Sequence, residues 1–268
     1  MKLLLPLVAC VLACGQSLPL EPTHESGANI TGAFEGWYKN PDGSFNLLLG
    51  YFNRNTKQEL DVPIGPNNRI EPGGPDRGQP THFLAGRQWG LFVVQVPSDF
   101  GSNKLTWTLT ANGKTATIPA SLLPDYEISP LKEVAVGNTP PVLRFDPQGP
   151  FVQGPQGLMV ERTATLANPL TLSAWVTDDA KFTSSSNNRP KNLGPPVTLR
   201  WTKYRGPGTV TFAKDRPPVE NGSATTTARF SEPGDYVLHL LVNDYSGEGG
   251  GGFQCCWTNG QVRVTVKP

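Results

Sequence analysis

A chain of 268 residues can bury two cores of ordinary domain size. Its formal net charge of +1, with no long block of one sign, excludes nucleic acid or an anionic membrane as a partner held by bulk electrostatics. The 29 glycines and 27 prolines fall below compositions that signal disorder, so they read as turn punctuation between alternating apolar segments.

Lys2 precedes an apolar run, Leu3 to Ala13, that is too short to span a bilayer but suits the core of a secretory signal over residues 1–20. The expectation is export to a periplasm, a cell surface or the extracellular space, with no transmembrane span. Ala13-Cys14-Gly15 offers the small residues a signal peptidase cuts beside. Val11-Leu12-Ala13-Cys14 is also a loose lipobox, which makes Cys14 a candidate lipid anchor.

No window keeps a helical period, while alternation of period two recurs throughout. Glu35 to Lys39 and Ser44 to Asn53 read as a hairpin turned by Pro41-Asp42-Gly43. Leu60, Val62 and Ile64 form a shorter strand, and Trp89 to Val96 is apolar enough for a strand covered on both faces. Leu105, Trp107, Leu109 and Ala111 alternate with threonines before Asn112-Gly113, a pair suited to a type I′ turn into Thr115 to Ile118. Residues 27–120 thus predict an N-terminal β-sandwich. Prolines at 124, 130, 140, 141, 147, 150 and 155 mark residues 121–157 as a semi-rigid connector that resists strand pairing.

Alternation resumes over residues 158–268. Leu170, Leu172, Ala174 and Val176 are followed by Val197, Leu199 and Trp201, then Val210 and Phe212. Ala224, Ala228 and Phe230 come next, then Tyr236, Leu238, Leu240 and Val242, and Val262, Val264 and Val266 close the set. Tyr236 opens a strand after Gly234-Asp235, the place of a tyrosine corner, and Trp201 stands where a strand-C core tryptophan is expected. In Trp201 to Phe212 and Phe230 to Leu240 this half resembles the bacterial PKD and cadherin-like family of sandwiches. The resemblance covers about Val160 to Lys267 and implies an extracellular spacer or adhesion module. It departs from the antibody pattern because no cysteine pair links the strands of Leu172 and Leu238. The first half resembles uncharacterised secreted bacterial proteins in Gly36 to Lys39 and Gly50 to Asn55, which implies nothing about function. The fold expectation is all-β: two antiparallel sandwiches, the second immunoglobulin-like.

Residues 65–87 set Arg69, Glu71, Asp76, Arg77, His82 and Arg87 among glycines and prolines, a polar recognition surface in one reading. Trp37, Tyr38 and Trp89 add aromatic faces on which a sugar can stack. In the other reading these charges pair with one another and pin down a long structural loop. In the second half, Asp178 and Asp179 follow one strand, and Asp244 and Glu248 follow another. The two loops share one pole of an immunoglobulin-like sandwich, and carboxylates gathered there suit calcium. Strand-ending turns and packing beside the connector compete as explanations.

Cys255-Cys256 is either a vicinal disulfide, plausible in an oxidising compartment, or two separate thiols. The histidines are His24, His82 and His239; the last reads as a sheet-face residue. No nucleophile elbow, zinc-protease helix or phosphate loop is present in the sequence. The leading expectation is an exported non-catalytic protein of the envelope or extracellular space, structural, adhesive or ligand-binding. Its partner would be a polysaccharide or an envelope protein. Alternatives are a secreted hydrolase drawing on Glu71, Asp76 or His82, and a carbohydrate-binding module using Trp37 and Tyr38.

Overall fold

The computed structural model describes residues 24–133, 137–181, 195–244 and 255–268. The signal segment 1–20, Cys14 and Glu248 lie outside them. The described chain is all-β apart from one short 3-10 turn, Pro124–Tyr126.

The first half comprises β1 (Ile30–Lys39), β2 (Phe45–Asn53), β3 (Leu60–Asp61), β4 (Asn68–Glu71), β5 (His82–Phe83), β6 (Gly86–Val96), β7 (Lys104–Ala111) and β8 (Lys114–Ser121). Two antiparallel sheets, β1-β2-β6 and β4-β7-β8, are accompanied by the small β3-β5 pair. Leu47, Leu49 and Tyr51 from one sheet meet Leu105, Trp107 and Leu109 from the other, as their period-two spacing requires. Trp107 sits edge-on to Phe92 at 5.3 Å and donates its indole N–H to Asn68 Oδ1 at 3.0 Å, so its one polar atom is satisfied. Asn112 and Gly113 take φ of 50° and 73°, and Ala111 pairs with Lys114. Two successive positive φ values match the twist of the β7-β8 hairpin. The expected strand through Ile64 stops at Asp61 instead, because Pro63 has no N–H to continue the ladder.

The second half comprises β9 (Val142–Arg144), β10 (Phe151–Gln153), β11 (Leu158–Thr165), β12 (Leu170–Thr177), β13 (Thr198–Arg205), β14 (Val210–Phe212), β15 (Ser223–Phe230), β16 (Gly234–Asn243) and β17 (Trp257–Lys267). One sheet runs β10-β9-β12-β15-β14 and the other β11-β17-β16-β13. Without β10 and β11, this order is that of strands A, B, E, D and G, F, C in an immunoglobulin sandwich. β11 lies parallel to β17, from Leu158–Gly260 to Thr165–Lys267, whereas the other ladders are antiparallel. Trp201 is buried between Phe145 and Phe212, with ring centroids 6.1 and 6.5 Å away. Aliphatic Leu172 and Leu238 occupy the core where antibody domains carry a disulfide.

Residues 121–157 differ from a plain spacer. β8 reaches Ser121, and β9 and β10 pair with each other while β9 also joins β12. The prolines permit this because Pro140 and Pro141 precede β9, Pro147 and Pro150 fall in the turn between β9 and β10, and Pro155 follows β10. None has to donate within these ladders.

Tyr236 is fully buried; its hydroxyl donates to Glu232 O at 2.9 Å and accepts from Gly208 N at 3.1 Å. Tyr236→Phe leaves a buried donor without its acceptor, so it is expected to lower unfolding stability by about 1–3 kcal/mol. A urea midpoint shift with an unchanged slope is the measurement, and no shift would show that the corner carries no stability.

Candidate functional site

The charged side chains of residues 65–87 divide among separate partners. Arg69 Nε donates to Glu71 Oε2 at 2.7 Å. Arg77 Nη2 donates to Pro72 O, and its backbone N–H to Gln79 Oε1, each at 2.8 Å. His82 bridges Asp61 (2.9 Å) and Glu59 (3.2 Å), and Asp61 also accepts from Lys203 of β13 at 3.1 Å. Glu71, Asp76 and His82 therefore do not share a common partner on which hydrolysis could be centred. Within the loop Arg69 and Glu71 pair with each other; the remaining charges are engaged by backbone or by residues outside it.

Asp76 reaches across to the second half. Arg205 grips it with two N–H···O bonds of 2.9 and 2.8 Å, and also donates to Gln79 O. These bonds hold the Asp76 carboxyl below its ordinary range. Next to Arg205, Tyr204 is buried in the core of the first half; its hydroxyl donates to Gly78 O at 2.5 Å and its carbonyl accepts from Thr81 N at 3.1 Å. A register shift between Lys203 and Arg205 breaks β13's alternation there and brings Arg205 to the face of Tyr204, which plain parity would not place it on.

His239 lies on the outer face of the same sheet, and that face is covered. It is buried, 6.0 Å from the Tyr204 ring and 3.1 Å from Asn259 Oδ1. Burial pushes the imidazole down to about 4, so it is neutral near pH 7. His239 is thus a sheet-face residue on a covered face, part of a seam between the two halves.

The seam centres on Gly90. Trp257 Nε1 (3.2 Å) and Asn259 Nδ2 (2.8 Å) both donate to its carbonyl. A Cβ there would lie 2.1 Å from Trp257 Cζ2, and φ is +47°, so only glycine suits the position. Its N–H is held from the other side by Glu35.

Glu35 is an extra residue in β1, inserted where the register shifts between Phe34 and Gly36. β6 is bulged opposite, for Leu49 pairs with Phe92 but Tyr51 with Gln88. Between the two irregularities lies Gly50, where a Cβ would fall 2.2 Å from Glu35 Oε1 and 2.9 Å from Arg87 Nη1. The cleared space holds the Glu35–Arg87 pair at 2.8 Å, with the glutamate side chain only 5% exposed. Burial raises the Glu35 carboxyl, against the pull of Arg87. Arg87 also donates to Tyr51 O and Gln88 O, and its guanidinium lies 3.9 Å from the centroid of the exposed Trp89 ring.

Trp37 and Tyr38 do not provide the expected aromatic platform. Trp37 is half-buried, its indole donating to Leu123 O at 2.8 Å and its ring edge-on to Phe45. Tyr38 is buried, which drives its hydroxyl up to about 12. The bulge at Glu35 reverses β1 parity, so Trp37 packs against the first core while Tyr38 lies buried on the opposite face, paired with Asn46.

At the far pole, Asp244 Oδ2 accepts from Asn138 Nδ2 at 2.7 Å. Asp179 accepts from Thr139 and pairs with Lys181, which donates to Gly137 O. Asp178 Oδ2 accepts from Ala180 N, while its buried Oδ1 has no partner among the described residues. Burial, with Asp244 and Asp179 nearby, pushes Asp178 up to about 6. Asp179 is thus drawn to Thr139 and Lys181 and Asp244 to Asn138, while Asp178 stands between them at the pole they share. Among the described residues no three Cys, His, Asp or Glu side chains group to hold a metal. Cys255 and Cys256 are buried and joined in a vicinal disulfide beside Trp257. His24 is exposed.

No protein-family model matches the chain, and no curated protein does. Among solved structures, the D00-D0 domain of intimin is 13% identical over 89% of this chain and 100% of its own, with a TM-score of 0.29. Domains 4 and 5 of the S-layer protein SbsC are 12% identical over 90% and 98%, at 0.24. The fibronectin(III)-like modules of Clostridium thermocellum CbhA are 11% identical over 89% and 94%, also at 0.24. Likenesses this distant carry nothing about function.

A raised carboxyl favours the folded state only while protonated, so Asp178's contribution is full below about 3.8 and lost as pH rises through about 6. Asp178→Asn is therefore expected to melt higher than the parent above pH 6, with the gap closing toward pH 4. Melts in chelator across that range check it; equal melting at every pH would refute the buried-charge account. A calcium-dependent rise in the parent, absent from the variant, would show instead that the pole closes on a cation.

Proposed function

We propose that the chain is an exported, non-catalytic β-sandwich protein of the cell envelope or extracellular space, with a structural, adhesive or binding role. The observation that carries this reading is the seam. The side chains that looked equipped for chemistry, Asp76 and His82 among them, are engaged in a network that runs from residues 59–82 to Lys203, Tyr204 and Arg205. Their work is to fix one half against the other, as suits a stiff two-sandwich unit that presents surfaces. The Cys255–Cys256 disulfide supports an oxidising compartment, since cytosolic thiols are kept reduced.

Two measurements test the proposal. Calorimetry of the parent is expected to give one cooperative transition. Arg205→Ala removes the grip on Asp76 and Gln79 and is expected to lower that transition or split it in two. Unchanged melting in the variant would mean that the Arg205 grip does not couple the halves. The seam should also loosen on acidification: a lowered histidine adds stability above its unfolded value of 6.5 that is lost as pH falls toward about 4, and Asp76 follows below its ordinary 3.8.

For compartment, the native protein is expected in envelope or culture-fluid fractions with Cys255 and Cys256 unreactive to alkylation until reduced. Recovery in the cytosol with both thiols free would overturn export.

A further inference from the structure

On the outer face of the β1-β2-β6 sheet the structure maintains a costly arrangement whose product is one exposed ring. A buried carboxylate costs stability unless it is paired and hydrogen-bonded, and glycine inside a strand weakens it. Here Glu35 is buried, Gly50 is kept bare to make room for it, and the ladder is irregular on both sides of Gly50. All three features serve to lock Arg87, which is held by Glu35, Tyr51 O and Gln88 O, flat against Trp89. Trp89 nevertheless keeps 42% of its accessible surface. Across the ladder from Arg87 stands Phe52, also exposed, with the Arg54 guanidinium 5.3 Å from its ring. Bulges re-aim side chains, and local irregularity of this kind concentrates at functional sites.

We propose that Trp89, Arg87 and Phe52 form a binding site for a neutral polysaccharide chain, with one sugar ring stacked on the face of Trp89 that Arg87 leaves open and hydroxyls of an adjoining sugar bonded to the Arg87 guanidinium. The chemistry selects this ligand class in three ways. A pyranose offers an apolar C–H face to a flat aromatic ring and hydroxyls around its edge to a planar donor fork. Glu35 cancels the charge of Arg87, so the centre of the strip attracts no anion. Arg87 is already fixed, so binding immobilises no side chain there. The inference gives the binding role proposed above a ligand class and a surface, and it rests on that reading only for the protein meeting polysaccharide outside the cell.

The experiment is affinity electrophoresis and calorimetry of the purified full chain against soluble glucans, mannans, galactans and xylans, with polygalacturonate as the acidic arm. Retardation by at least one neutral polysaccharide, insensitive to salt, is expected. Trp89→Ala should weaken it by about tenfold or more, Trp89→Phe should retain most of it, and Arg87→Lys should weaken it several-fold. Trp89 is exposed, so the alanine variant should melt like the parent; if it does not, the phenylalanine and lysine variants carry the comparison. Lack of binding to every neutral polysaccharide overturns the proposal, as does binding at the parent's strength in Trp89→Ala or in Arg87→Lys. Binding confined to polygalacturonate and abolished by salt also overturns it, and so does dimerisation of the parent through this face. These outcomes are independent of fractionation and of the melting of Arg205→Ala, so either proposal can fail alone.

Discussion

A single residue, Gly90, is held through its backbone from both sides of the molecule. The N–H of Gly90 meets Glu35 of the first sheet, while its carbonyl receives Trp257 and Asn259 of the second half. Backbone groups buried in a junction must be paired, and here the pairing is divided between the two cores. The missing side chain at Gly90 lets the Trp257 ring approach, and Gly50 gives Glu35 its space. Without these two close approaches, neither the seam nor the Arg87–Trp89 stack would have its present geometry.

The seam mixes apolar burial with polar contacts in an instructive way. Tyr204 sits in the first core although it belongs to a strand of the second, and its hydroxyl, raised by burial, still finds Gly78 O. Neutral His239 and Asn259 fill the covered sheet face without leaving a charge in low dielectric. The charged contacts, Arg205–Asp76 and Lys203–Asp61, stay nearer the rim, where both aspartates are more than half exposed. Orientation and register are what such rim pairs set best; stability comes from the buried part.

Inside–outside alternation made the all-β class, the Trp201 core and the Asn112-Gly113 hairpin legible from the residues, because side-chain parity and turn chemistry are local properties. What escaped is non-local. One inserted residue, Glu35, reverses parity ahead of Trp37 and Tyr38, a shift near Lys203 conceals Arg205, and alternation does not reveal that the face of Tyr204 is covered by the first half. Nothing in Phe34-Glu35-Gly36 or Trp89-Gly90-Leu91 announces that Gly90 will face a tryptophan more than 160 positions away. Of the expected site residues, Arg87 lies beside the exposed Trp89 ring, Asp76 is a cross-seam anchor, and Trp37 and Tyr38 are drawn into packing.

The parallel β11-β17 pair has a mechanical consequence. A pull that separates residue 158 from residue 267 runs along both strands, so every rung from Leu158–Gly260 to Thr165–Lys267 is loaded at once. Antiparallel neighbours pulled from a shared end would instead open one rung at a time. A tether passing through this half is thus built to resist tension by sharing it across the ladder.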